Sequence, residues 1–496
     1  FGIDLKRLIA AISCAMLYSV GVAFKSFMDI FGATILVPIV VFLLSLVLKV
    51  KPMQAFRAAI YMAIGLTAFN IILGILMGQM ESVMSLMSAN TGKVFDVVDV
   101  GWPAAATIVY NNSMGMIYLV VGLIWNFVLF FLKVTDTFEP TDIWNYYFFV
   151  TYAICVQFVT GSFILGLICA LFCNLFVLLV SDAIAPALQE YYGYDGLTCT
   201  CISCTNIAIF GGLLNILFKK IGFGRVKVDP DSINKKLGFF GEPAMIGAIL
   251  GLLMGAVAYI HELGNPATWA TILTFAFTLS VMLVIYPTVS GLFVRGLIPI
   301  SNTMNARMRT GEIKRKYFLI GIDPAVYFGE TANITAGILL MPILILMAII
   351  LPGNRLVPLA DIPAIPFMVI GLTAVFQGDI LKSTICGTIW GSFAHLIATD
   401  MAELFTNAAT QAGFALSEGQ AYVGSWLVSA QPPLWLFYKC FSANGAIKYI
   451  LIAVLFAAYA LALVHFKKHR KGWYKFFGAS DEYVDQFMGI AEAEEA

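Results

Sequence analysis

Apolar runs of about 20 residues, each closed by a short polar or charged stretch, recur along nearly the whole chain. A run of that length is what an α-helix needs to cross a bilayer core of roughly 30 Å at 1.5 Å per residue. The pattern predicts spans near 30–48, 58–79, 114–132, 145–160 and 162–181, and again near 244–260, 267–297, 333–351, 365–376, 383–399 and 446–466. Two segments do not read as plain spans. Ala104–Tyr110 is too short and reads as one arm of a re-entrant hairpin. Gly196–Phe218 holds Thr-Cys-Thr-Cys-Ile-Ser-Cys-Thr-Asn at 198–206 and Gly211-Gly212 inside its apolar half, and reads as a second hairpin. Residues 352–366 are too rich in proline for a regular helix. The expectation is an all-α polytopic membrane protein with about 10–12 transmembrane helices and re-entrant hairpins. The short alternating strands of a transmembrane barrel are not in the pattern.

Polar residues beside apolar runs are the next signal. From Leu319 to Ala336 the chain carries Asp323, Glu330, Thr331, Asn333 and Thr335 immediately before an almost wholly apolar segment. A charged group costs roughly 3 kcal/mol or more at a bilayer centre, so such groups face a protein interior or a wet cavity. Asp323-Pro324 reads as a helix start, with aspartate as cap and proline in the first turn. Glycine shortly before proline recurs at Gly101-Trp102-Pro103, Gly241-Glu242-Pro243 and Gly321-Ile322-Asp323-Pro324, each at the edge of an apolar run. Three such tips suggest half-helices converging on a site, with free N–H groups at their starts. The segments 97–220 and 319–440 suggest an inverted repeat.

Composition changes this picture little. The chain is 60% hydrophobic and 12% charged, with 29 basic and 29 acidic residues, so no nucleic-acid footprint is visible. Basic residues cluster at 49–57, 219–236, 307–316 and 467–475, segments that the positive-inside rule puts in the cytoplasm. Residues 1–29 read as a membrane-associated N-terminal helix, 30–466 as the membrane unit, and 467–496 as a solvated cytoplasmic tail. Most of the nine cysteines sit in apolar runs, as reduced packing residues do. Cys199, Cys201 and Cys204 lack a nearby histidine to complete a metal set, so no metal site and no cofactor is expected.

Val-Asp-Val-Gly-Trp-Pro (98–103), Phe-Gly-Glu-Pro (240–243), Phe-Leu-Ile-Gly-Ile-Asp-Pro-Ala (318–325) and Pro-Gly-Asn-Arg-Leu-Val-Pro-Leu-Ala-Asp (352–361) occur in that order. Over roughly residues 30–466 the chain resembles the galactitol-type enzyme IIC permeases of the bacterial phosphoenolpyruvate:sugar phosphotransferase system. The resemblance implies a homodimeric elevator transporter in the bacterial inner membrane, with a scaffold and a mobile core. It also implies a sugar or alditol substrate and soluble enzyme IIB and IIA partners, IIB donating phosphate from a cysteine. Carried over by position, Asp99, Trp102 and Pro103 form one substrate-binding tip. Thr205 and Asn206 lie on the second hairpin, with Gly241, Glu242 and Pro243 nearby. Asp323, Glu330, Thr331 and Asn333 close the site. The stretch 198–206 holds no histidine and Glu330 follows Phe328-Gly329, two positions where such permeases tend to carry one.

Phosphoryl transfer to a hydroxyl needs alignment, charge stabilisation and a base for the proton. Asp323 is the first choice of base and Glu242 the second. Asp323 is equally suited to capping its helix, Glu242 to pairing with the basic loop before it, and Glu330 to a buried ion pair. Trp102 offers a ring face to a sugar or an anchor at the membrane surface. An ion-coupled secondary transporter on the same scaffold, with these acids binding Na⁺ or protons, is the alternative function.

Overall fold

The computed structural model describes residues 45–493 apart from 91, 93, 94, 140, 141, 311–314, 316 and 415–420, with scattered positions between 16 and 43. Those scattered positions aside, the N-terminal helix expected over 1–29 lies outside the described residues. The first long helix, α1 (Pro52–Ala89), is followed by β1 (Val97–Asp99), α2 (Gly101–Tyr110), α3 (Ser113–Phe131), β2 (Thr137–Phe138), α4 (Tyr147–Thr160), α5 (Phe163–Tyr192), β3 (Leu197–Cys199) and α6 (Ile202–Lys220). A middle region carries α7 (Pro230–Leu237), α8 (Pro243–Ala258) and the 44-residue α9 (Pro266–Arg309). The first order then returns as β4 (Leu319–Ile322), α10 (Ala325–Phe328), α11 (Thr331–Ile350), β5 (Leu356–Val357), α12 (Ile365–Val375), α13 (Ile380–Gln411), β6 (Tyr422–Gly424), α14 (Trp426–Ser429) and α15 (Pro432–Phe441). Three helices close the chain: α16 (Ile447–Lys468), α17 (Arg470–Phe476) and α18 (Asp481–Ala493). Among the described residues seven helices are long and apolar enough to cross a membrane, and no sheet is closed. The protein is an all-α polytopic membrane protein.

The strands were not foreseen, and they explain how the two halves join. Each sheet is parallel and has three strands, ordered β5-β1-β6 and β2-β4-β3. Val97 of β1 pairs with Leu356 and Tyr422, both from the second half. Ile320 of β4 pairs with Phe138 and Leu197, both from the first. The leading strand of each half is thus held by the later strands of the other, a reciprocal exchange. Extended backbone inside a membrane protein leaves N–H and C=O groups that water cannot reach, and each strand triplet pairs them.

A separate bundle is formed by α1, α8 and α9. Gly247, Gly251 and Gly255 line one face of α8 at four-residue spacing, and a Cβ on Gly251 would lie 2.4 Å from the Ala276 Cα on α9. Lipid tails are as apolar as leucine, so close backbone approach of this kind supplies the packing that draws such helices together. Apolar side chains that meet no partner face outward, including Ile60, Ile64 and Ile71 on α1 and Ile450, Val454 and Leu461 on α16.

Three basic segments meet on one face. Arg470 pairs with Asp136 at 2.7 Å, and Arg315, which reaches the Thr135 carbonyl at 2.7 Å, lies 3.7 Å from the same carboxylate. Ile380 N–H donates to the Val228 carbonyl at 2.7 Å, and the Gln377 amide reaches Gly478. The tail over 467–493 is therefore packed rather than loose: Tyr474, Phe477 and Val484 are buried, and Ser480 N–H donates to Glu190 at 2.8 Å. Arg470 reads as part of a solvated extension because its partner Asp136 lies in a distant part of the chain.

Replacing Gly251 with leucine is expected to cost about 1–3 kcal/mol by overpacking and to lower the melting temperature in detergent. Gly264, whose Cβ would meet nothing within 4 Å, tolerates alanine in the same measurement.

Candidate functional site

Each sheet ends in a pair of aspartates that hold the starts of helices. At the end of β1, Asp99 accepts from Asp361 N–H at 2.7 Å, from Trp426 N–H at 3.2 Å and from Gly101 N–H at 3.3 Å. Asp361 in turn accepts from Trp102 N–H at 2.7 Å, Ser425 Oγ at 2.7 Å and Leu427 N–H at 2.8 Å. The first turns of α2 and α14 would otherwise expose unpaired donors, and the two carboxylates satisfy them and complement their dipoles. Both acids are buried. Just before β1, the exposed Asp96 is bonded to Arg355, whose guanidinium holds its carboxyl below the usual carboxylate range.

The second sheet repeats the device with one difference. Asp323 accepts from Ala325 N–H at 2.8 Å through one oxygen and from the Asn145 amide at 3.0 Å through the other. The same amide donates to Asp142 at 2.6 Å, and Thr200 Oγ1 donates to the other Asp142 oxygen at 2.6 Å. Thr200 follows β3 as Ser425 follows β6. Asp142 is buried like Asp99 and Asp361, whereas Asp323 stays partly open. Tyr147, at the start of α4, packs against Tyr110 at the end of α2 with ring centroids 6.2 Å apart, and its N–H donates to the Tyr110 hydroxyl at 3.1 Å.

A helix break follows each leading strand. Asn112 caps α3 through Met114 N–H at 2.9 Å and bonds Gln411 at the end of α13. Glu330 caps α11 through Asn333 N–H at 3.0 Å. Asn333 lies inside this junction, accepting from Tyr192 at 2.8 Å and donating to the Tyr327 carbonyl at 2.6 Å. Tyr192, Tyr194 and Tyr327 pack around it with ring centroids 4.8–6.3 Å apart.

The family model described as PTS system sugar-specific permease component matches residues 26–419. The galactitol-specific EIIC component of the PTS in Escherichia coli K12 is 27% identical over 426 residues, covering 86% of this chain and 92% of its own. A putative permease IIC component of the same strain is 30% identical over 401 residues, covering 79% and 88%. The chain belongs to the EIIC-GAT family. It is a multi-pass sugar-specific permease component of the phosphotransferase system.

Within the permease, the residues expected at the site separate into groups. Asp99 and Trp102 sit in the first cluster, Trp102 half-buried and Pro103 exposed on the first turn of α2. Asp323 anchors the second, while Glu330, Thr331 and Asn333 form the nearby helix junction. Thr205 and Asn206 are buried in the first turns of α6, with Thr205 bonded to the Cys201 carbonyl at 3.2 Å. Both side-chain polar atoms of Asn206 are buried without a hydrogen-bond partner among the described residues. Gly241 and Glu242 stand apart from all of these. Glu242 is exposed at the start of α8, makes no side-chain cap, and no described hydrogen bond or ion pair joins it to either cluster. The third glycine–proline break therefore starts a helix of the α1–α8–α9 bundle, and two tips, not three, carry paired acids. Sequence reasoning passed over Asp142, Asn145, Thr200, Asp361 and Ser425. Asp142 and Asn145 lie in a polar stretch that reads as a surface linker, and Asp361 closes a motif already noted.

Replacing Asp361 with alanine strands three buried donors and is expected to cost at least about 3 kcal/mol, seen as lost folded yield. Glu242→Gln leaves the melting temperature in detergent unchanged.

Proposed function

We propose that the permease carries a sugar or alditol to a site around Asp323, where enzyme IIB, itself charged by enzyme IIA, phosphorylates it. The observation that carries this reading is that, of four aspartates in two matched clusters, Asp323 alone keeps surface open. Asp99, Asp142 and Asp361 are buried in the fold, whereas the oxygens of Asp323 each accept one bond and retain capacity for a hydroxyl. Asn206 adds a buried amide with unused donors and acceptor on α6, the helix that follows β3 and Thr200, suited to a polyol. The relatives described as galactitol-specific favour an alditol.

Transfer would proceed by attack of a substrate hydroxyl oxygen on the phosphorus of a phosphocysteine. The new O–P bond replaces the S–P bond, the thiolate leaves on enzyme IIB, and the hydroxyl proton passes to Asp323. Glu330 and Thr331 border the site at the start of α11, while Asp99, Trp102 and Pro103 face it from the other half.

Movement follows from the mixed sheets. Because each half lends two strands to the other, separating the halves would break both sheets, so rocking one repeat against the other is costly. Sliding the joined halves as one body past the α1–α8–α9 bundle breaks none of these bonds, which favours an elevator. The basic segments gathered on one face put that face, with the C-terminal helices, in the cytoplasm of a bacterial cell. The bundle would form the fixed core of a homodimer in the inner membrane.

Vesicles carrying the permease and loaded with enzymes IIA and IIB and phosphoenolpyruvate-driven phosphodonor should accumulate phosphorylated alditol, independent of Na⁺ or proton gradients. Unmodified solute following an ion gradient would instead establish an ion-coupled transporter. Asp323→Asn is expected to fold normally and lose about 100-fold or more of phosphorylation rate. Wild-type turnover in that variant would remove Asp323 as the base.

A further inference from the structure

We infer that a cleft between α1 and α9 binds the phosphate of an anionic phospholipid. The cleft measures about 310 Å³ and is lined by Gln54, Arg57 and Tyr61 of α1 and by Arg295, Pro299 and Thr303 of α9. On each helix these residues recur at three- or four-residue spacing, so each helix turns one face to the cleft. The helices cross closely beside it: a Cβ on Gly296 would lie 2.8 Å from the Ala58 carbonyl oxygen. Arg295 lies over the Tyr61 ring at 5.9 Å, and among the described residues neither Arg57 nor Arg295 has a carboxylate partner.

Two guanidiniums facing one cleft without an acid form an anion site by chemistry, since the planar fork matches two phosphate oxygens. Gln54 and Thr303 add neutral groups suited to headgroup hydroxyls. What marks the anion as lipid is the adjacent face of α1, where Phe56, Ile60 and Ile64 are 55%, 46% and 48% exposed at four-residue spacing. They offer a track for acyl chains directly beside the charged cleft. Lys49 and Lys51 flank the start of α1, and Arg307 reaches the Leu48 carbonyl at 3.2 Å, so the cleft sits at a basic end of the bundle. A basic pocket between membrane helices beside an exposed apolar face fits a phosphodiester headgroup such as that of phosphatidylglycerol.

The test is native mass spectrometry of the full chain released from mixed phosphatidylglycerol and phosphatidylcholine. Retention should favour phosphatidylglycerol, and the double variant Arg57→Gln with Arg295→Gln should lose that preference by about 30-fold. Arg57→Lys with Arg295→Lys should restore part of it. In the unaltered protein, phosphatidylglycerol but not phosphatidylcholine should slow phenylglyoxal modification of both arginines, read by peptide mass spectrometry. This arm needs no variant to fold. Equal modification rates with the two lipids, or equal retention by the glutamine variant, overturns the assignment. Displacement of the lipid by millimolar inorganic phosphate would make the site one for a soluble anion and overturn it as well.

Discussion

Every unwound segment inside a membrane protein must find partners for its backbone without water, and that constraint organises this chain. Six strands of two to four residues, too short to matter in a soluble domain, collect into two parallel triplets. Because the triplets draw strands from both halves, satisfying the backbone also welds the halves together. Neither half retains a paired leading strand without the other.

The paired aspartates extend the same logic to side chains. Among the described residues no lysine or arginine is bonded to Asp99, Asp142, Asp323 or Asp361. Helix-start N–H groups, hydroxyls and one bridging amide take that role, so negative charge at membrane depth is met by dipoles rather than by ions. The first cluster draws on five backbone N–H groups and Ser425, the second on one backbone N–H with Thr200 and Asn145, and the second is less enclosed. The repeat is imperfect here: Asp323, the one acid of the four that is left partly exposed, belongs to the half whose helix break is capped by an acid, Glu330, and flanked by tyrosines.

Outside this core the chain uses different physics. The α1–α8–α9 bundle packs through glycines against backbone, needs no buried charge and places its arginines at a basic end. The C-terminal helices are held by ion pairs, with Arg470 and Arg315 sharing the buried Asp136.

Apolar run lengths alone determined that this is a helical, multi-pass membrane protein, because the bilayer thickness sets helix length directly. The glycine–proline breaks likewise announced Asp99 and Asp323, since a local turn signal and an acid beside an apolar run are both visible in a few residues. Only the tertiary structure decided which breaks belong together. Gly241-Glu242-Pro243 has the same local pattern as the other two, yet it starts a bundle helix, and nothing within it records that. Asp142 and Asp361 read as linker acids because the donors that bind them, Thr200 and Ser425, lie 58 and 64 residues away. The strands were invisible because two or three residues carry no periodicity; they exist only when partners from the other half arrive. The partial exposure of Asp323, on which its proposed role rests, is set by packing around the whole cluster and not by any neighbour in the chain.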